Sequence, residues 1–365
     1  MQLQVQSQVF EASGAGALGG EVFSYLPASA VIQWTYDPNL IGPIYSGTLA
    51  DLYAAGNLSG ITGLGMSSAG ITSISGLGAL TSLLFLDCSQ NSLTNLDLTG
   101  CIALQSLDCH QNALISLDAS ACTALQSLDC HQNALASLDV SACTALQILG
   151  CHQNALISLD ASACTALQSL DCSQNALISL DVSACTVLQG LDCHQNALTN
   201  LDASACTVLQ ILVCSYNLLT SLDVSANTAL TSLSAEHNRI AGIFSLAGLI
   251  ALGNVTVQNN LLTGVDLTGC GSLVSFQCYN NAIAGLNVLP CVSLMTLVAP
   301  SNRITNANPT YYINNILYDL DQAGNVGGYC NLAGQLPVAP PNVGPPDGVA
   351  AKANLLTKGW GVATD

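Results

Sequence analysis

From Leu83 to Ala229 the apolar positions of the chain return at a constant interval of 21 residues. One copy, LQSLDCHQNALISLDASACTA, runs from Leu104 to Ala124, and others start at Leu125, Leu146, Leu167, Leu188 and Leu209. With Leu104 as position 1, apolar or small residues hold positions 1, 4, 6, 11, 14, 16 and 19, and Asn holds position 9. A fixed interval of this length means stacked copies of one supersecondary unit, each burying its apolar side against its neighbours. Alternation over positions 3 to 7 predicts a short strand in every copy, with 4 and 6 pointing inward and 3, 5 and 7 outward. Equivalent strands would lie parallel about 4.8 Å apart, so about twelve coils would make a rod about 55 Å long.

The flanks depart from this pattern. A degenerate copy runs from Ile61 to Thr81, with Ile61, Leu64, Met66, Ile71, Ile74 and Leu77 apolar and Ala69 at the Asn position. Regular copies then run from Leu83 to Leu230; the next step, to Leu252, is 22 residues, and IFSLAGLIAL there predicts a helical turn. Copies at Leu252, Leu273 and Leu294 follow, and the pattern fades at Asn308-Pro309. Residues 1–60 read as an N-terminal cap or anchor. Phe23, Tyr25, Val31, Ile32, Trp34 and Tyr36 suggest one or two strands broken by Pro27, and Ser46 to Gly56 a short helix. Residues 61–308 read as the solenoid. Residues 309–365 read as a C-terminal cap, with a helix ending at Gly324, a Pro-rich connector, and a second helix running into a short strand.

Leu104, Leu107, Cys109, Asn112 and Leu114 spell L-x-x-L-x-L-x-x-N-x-L, and Asn recurs at 91, 112, 133, 154, 175, 196, 217, 238, 260, 281 and 302. The chain thus resembles leucine-rich-repeat proteins. Leu114, Leu117, Ala119 and Cys122 echo the first half, a nesting similar to the 21-residue subclass seen mainly in bacterial and viral proteins. The resemblance implies a β-rich α/β fold: a leucine-rich-repeat solenoid of about 12 coils with a parallel sheet and non-repeating caps at both ends. It also implies a rigid surface used to bind protein or glycan. The ending, a helix followed by Gly359, Trp360, Gly361 and Val362, resembles a small C-terminal segment of uncharacterised bacterial and phage proteins.

Charge narrows the partners. Lys and Arg number four against 22 acidic residues, the net charge is -18, and the first fixed cation is Arg239. Phosphate binding needs a basic footprint, so nucleic acid is not an expected partner, and an anionic membrane would repel the chain. No run is long and apolar enough to insert in a bilayer. MQLQVQSQVF has neither the basic nor the apolar region of a secretory signal. Of 17 cysteines, eight stand at position 6 and eight at position 19, with Cys330 outside the repeats. Equivalent Cβ atoms about 4.8 Å apart exceed the about 3.8 Å of a disulfide, so the thiols should stay reduced and pack as small hydrophobes.

Two acidic columns follow from the register. Position 5 collects Asp87, Asp108, Asp129, Asp171 and Asp192, with Gly150 interrupting; position 15 collects Asp97, Asp118, Asp139, Asp160, Asp181, Asp202, Asp223 and Asp266. Carboxylates about 5 Å apart repel by about 3 kcal/mol at an effective dielectric of about 20. Turn hydrogen bonds, a cation or a basic partner must offset that. For position 15 the L-D-x-S spacing favours turns using Ser120, Ser141 and Ser162 over calcium. Position 7 adds His110, His131, His152 and His194 beside the position 5 column. Paired imidazoles and a carboxylate could hold zinc or copper, but a copied solvated face is the favoured reading, and no cofactor is expected.

Adjacent strand residues face opposite ways, so Cys109 and His110 form no dyad, and an enzyme is not expected. The favoured function is a recognition or adhesion scaffold. Its patch comprises Asp87, Asp108, His110, Asp129, His131, Ile148, His152, Asp171, Asp192, His194, Ile211 and Val213, the last joining Ile148 and Ile211 as apolar anchors. The alternative is a self-assembling part of a virion, fibre or cell surface, with the repeats as spacer and the ends as contacts. Either role places the chain in a virion or at a cell surface before the cytoplasm. A third reading is a protein that binds divalent metal.

Overall fold

The computed structural model describes residues 8–11, 31–34, 61–304 apart from Ser75, 313–333 and 348–364. The chain divides into two compact units, Met1–Cys185 and Thr186–Asp365.

In the first unit, strands Gly63–Gly65, Phe85–Asp87, Ser106–Asp108, Ser127–Asp129, Ile148–Gly150 and Ser169–Asp171 form a parallel ladder. Its register sets Leu64, Leu86, Leu107, Leu128, Leu149 and Leu170 in one line, the in-register stacking expected from the interval. Val31–Trp34 pairs antiparallel with Gly63–Gly65 through Gln33 and Gly65, and Gln8–Glu11 pairs antiparallel with Val31–Trp34. The helix expected over residues 46–56 lies outside the described residues. A second, shorter ladder joins Ser116–Asp118 to Ser137–Asp139, with one further bridge between Asp160 and Asp181.

In the second unit, Gly190–Asp192, Ile211–Val213, Ser232–Ser234, Asn254–Thr256, Ser275–Gln277 and Thr296–Val298 repeat the parallel arrangement. Tyr329–Asn331 and Gly361–Ala363 add two more rungs, aligning Leu297, Cys330 and Val362. The ladder therefore resumes beyond Pro309, and Cys330 occupies a rung instead of lying apart from the ladder. Helices Ile313–Gln322 and Gly348–Thr357 precede these rungs. Lys358 Nζ donates to Asp321 Oδ1 at 2.7 Å, Asn354 Nδ2 to Asp321 Oδ2 at 3.1 Å, and buried Trp360 Nε1 to the Asn325 carbonyl at 3.0 Å.

The 22-residue step holds no helical turn. Ala241–Ser245 is a strand, parallel to Leu261–Asp266, with a register shift between Gly242 and Ile243 that passes over Thr263 of the partner strand. Ile243 is exposed while Phe244 and Leu246 are buried, a strand alternation that bulky Ile and Phe favour over a helix. Gly242, at the shift, takes the left-handed conformation at φ 80°, which glycine adopts without steric cost.

The core is built from the positions read as inward. In the copy from Leu104, the residues at positions 1, 4, 6, 11, 14, 16 and 19 are all at most 2 % exposed. Each buried leucine contributes about 1.5–3 kcal/mol of transfer free energy. None of the 17 cysteines is linked in a disulfide, and all are buried, those of the repeats at the inward positions read for them. Position 19 thiols face carbonyls of the preceding coil, as Cys143 Sγ does toward Ala119 at 3.5 Å. Burial pushes the Cys101 thiol up to about 11 and the Cys122 thiol up to about 12, so both remain protonated at neutral pH.

Asparagine at position 9 ties one coil to the next. Asn133 Nδ2 donates to the carbonyls of Cys109 and Cys130 at 3.0 and 3.1 Å, while its Oδ1 accepts from the Leu114 amide at 3.0 Å. The same bonds recur at Asn154, Asn175, Asn217 and Asn238. No other side chain of this size offers both donor and acceptor to backbone groups turning away from the strand, which explains the constancy of the residue.

Candidate binding face

Strand geometry covers only positions 3 to 5, shorter than the five residues expected, but cross-coil bonding continues further. Cys109 and Gln111 amides donate to the Asp129 and His131 carbonyls at 2.8 and 2.9 Å. The chain then bends because position 8 is left-handed: Gln111, Gln132 and Gln153 lie at φ 52°, 52° and 54°. This bend brings position 8 into the outward set, forming a glutamine column in which Gln153 Nε2 donates to Gln174 Oε1 at 2.9 Å.

Positions 5 and 7 then lie side by side. Asp108 Oδ1 accepts from the His110 amide and Nδ1, at 3.2 and 2.5 Å; Asp129 does the same for His131 at 3.2 and 2.6 Å. Where Ser replaces His the bond persists, with Ser89 Oγ 2.6 Å from Asp87 Oδ1 and Ser173 Oγ 2.7 Å from Asp171 Oδ1. Burial pushes the Asp108 carboxyl above its ordinary value, opposed by the bonds from His110. Gly150 leaves His152 without this partner in its own coil. His152 Nδ1 approaches Asp171 Oδ2 at 3.3 Å but makes no hydrogen bond, since alignment as well as distance is required. The rings of His110, His131 and His152 stack face to face, with centroids 4.5 and 4.4 Å apart.

The first unit therefore gathers Asp87, Asp108, His110, Asp129, His131, Ile148, His152 and Asp171 on the outward side of one ladder. Ile148 stands 52 % exposed among these polar groups. In the second unit, His194 Nδ1 lies 2.7 Å from Asp192 Oδ1. Ile211 is 49 % exposed there, and Val213 is half-buried. Sequence reasoning missed Tyr216 and His237, two position 8 residues whose rings stack 4.2 Å apart. The face read from the sequence as running from Phe85 to Glu236 ends on Glu236 Oε2, which accepts from Thr256 Oγ1 at 2.7 Å. The available signal was the unbroken polar column at position 8.

Position 15 behaves as a turn. Asp118 Oδ1 accepts from the Ser120 amide at 2.9 Å and its hydroxyl at 2.5 Å, and the amide bond recurs from Asp97 through Asp266. Hydrogen bonds from Ser or Thr hold the carboxyls of Asp97, Asp118, Asp160, Asp202 and Asp266 below their ordinary value. These bonds offset the repulsion along the column.

No protein-family model matches the chain, and no curated protein matches it in sequence. Solved structures do. The functional domain of InlJ from Listeria monocytogenes, which includes a cysteine ladder, is 26% identical over 76% of this chain and 69% of that one, with a TM-score of 0.52. Internalin InlF from the same species is 18% identical over 93% of this chain and 91% of that one, with a TM-score of 0.64. YopM from Yersinia enterocolitica is 25% identical over 67% of this chain and 56% of that one, with a TM-score of 0.53. With in-register leucine strands, buried thiols and asparagine bonds between coils, the chain is a leucine-rich-repeat solenoid.

Proposed function

We propose that the chain is a non-enzymatic recognition scaffold that binds a protein partner through the outward face of positions 3, 5, 7 and 8. The observation that carries this reading is the placement of Ile148 and Ile211, each about half exposed, within faces lined mainly by Ser, Asp, His and Gln, with Val213 and Tyr216 in the coil of Ile211. An apolar anchor ringed by polar groups is how protein interfaces concentrate binding energy. The carboxylates of the face select a basic partner surface and speed its approach. The thiols and imidazoles that chemistry would need are kept apart: Cys109 is 0% exposed inside while His110 lies on the outward face.

Affinity selection from the native source, comparing the protein with Ile148→Lys/Ile211→Lys and with Ile115→Lys/Ile178→Lys on the opposite half of the repeat, tests this. A partner kept by the second variant and lost by the first is expected. A partner lost equally from both, or none at all, contradicts the reading. Mass measured across a concentration series addresses the structural alternative, since a ring or filament would mark a virion, fibre or surface component instead.

A further inference from the structure

Ser and His are interchangeable at position 7 as far as the backbone is concerned. Ser89 and Ser173 donate to Asp87 and Asp171 as His110 and His131 donate to Asp108 and Asp129. The fold therefore asks only for a donor there, and the imidazole adds a second nitrogen. An ionised carboxylate can only accept, so Nδ1 carries the proton and Nε2, across the ring, keeps its lone pair. This carboxylate-held tautomer is the one in which metal-ligating histidines are found. His152 makes the same point differently. Its coil has Gly150 in place of the aspartate, yet the imidazole remains and continues the stack, with its Nδ1 making no hydrogen bond.

We propose that His110 and His131 form a site for a divalent, imidazole-binding transition metal, zinc or copper(II), held through their Nε2 atoms. Asp108 and Asp129 fix the two rings and supply negative charge. Candidate ligand atoms of His110, Asp129 and His131 lie within 4.8 Å of one another, and the two rings are stacked 5° from parallel. Metal–nitrogen bonds of about 2.0–2.1 Å in a tetrahedral shell require the two near-parallel rings to turn toward each other until their in-plane Nε2 lone pairs converge, with water completing the shell. No Lys or Arg precedes Arg239, and a net charge of -18 raises the local concentration of divalent cations. The stacked column thus combines nitrogen donors, oriented rings and an attractive field. The site stands independently of the protein-recognition reading.

Zinc chloride titrated calorimetrically into the full chain, with elemental analysis after dialysis, tests the site. One retained ion per chain is expected, with a dissociation constant in the micromolar range or tighter. His131→Ser keeps a donor for Asp129, as Ser89 does for Asp87, and should weaken binding at least tenfold. His194→Ser, whose position 7 neighbours in sequence are Ser173 and Ser215, should leave it unchanged. Electron paramagnetic resonance of the copper(II) form should show two imidazole nitrogens, a readout that needs no variant. No retained zinc, zinc binding that His131→Ser does not weaken, or a copper spectrum without nitrogen coupling would each overturn the proposal.

Discussion

Replacing Asn217 by alanine removes the side chain that joins two coils of the second unit. Its Nδ2 donates to the carbonyls of Cys193 at 3.0 Å, Cys214 at 3.1 Å and Ser215 at 3.2 Å, and its Oδ1 accepts from the Leu198 amide at 3.0 Å. The residue is 5% exposed, so water does not readily replace it. The Leu198 N–H loses its partner outright, while the Cys193 carbonyl keeps the bond from Asn196 Nδ2 at 3.1 Å. A buried backbone N–H left unpaired costs about 1–3 kcal/mol. Water entering the vacated space keeps this below the upper end, so about 2 kcal/mol is expected. Urea denaturation would show a lower midpoint with an unchanged slope. Hydrogen exchange would show the Leu198 amide losing protection relative to amides in distant coils. A loss below about 1 kcal/mol, or unchanged exchange at Leu198, would refute the view that these side chains bind coil to coil.

Three further outcomes follow from the geometry. Gln195 lies at φ 52°, where a non-glycine residue costs about 1–2 kcal/mol and glycine nothing beyond its chain entropy. Gln195→Gly should raise the melting temperature and Gln195→Val lower it; equal tolerance of both would refute the strain. Asn227 replaces a position 19 cysteine and donates to the Ala203 and Cys206 carbonyls, but its buried Oδ1 has no partner. Asn227→Cys should stabilise by about 1 kcal/mol in urea titration, and a destabilisation would show that the two donated bonds outweigh the orphaned oxygen. Carboxyls depressed in the fold, such as Asp118, contribute stability above their unfolded pKa of about 3.9 that is lost as pH falls through the lower folded value. Ser120→Ala should return the Asp118 titration toward its ordinary value by NMR, and no movement would remove the hydroxyl bond as its cause.

Much of this was legible in the sequence because one side-chain set is repeated at a constant interval. Leu107 and Leu128 could not both be inward without fixing Asp108 and Asp129 outward, and the thiols at position 6 followed the same constraint. The left-handed bend at position 8 was not legible: Gln, Tyr, His, Asn and Ser all occupy it, and none has the freedom of glycine that usually announces such a bend. The rung Tyr329–Asn331 spans three residues, too short for alternation to register, whereas the short strand read after the second helix is Gly361–Ala363. At Ala241–Ser245 an apolar run admitted helix or strand, and pairing with Leu261–Asp266 decided it. The histidine stack needed coordinates, since the sequence places His110 and His131 in adjacent coils but does not say that their Nδ1 atoms turn to aspartate.

Thiol counting tests the orientation of the whole ladder. Native protein treated with an alkylating reagent, and denatured protein treated without reductant, would be compared by intact mass. All 17 thiols are free and buried, so native protein should resist labelling and denatured protein should gain 17 adducts. Fewer than 17 adducts would reveal linked sulfurs, and rapid native labelling of Cys109, Cys130 or Cys151 would mean that the faces of the coil are reversed.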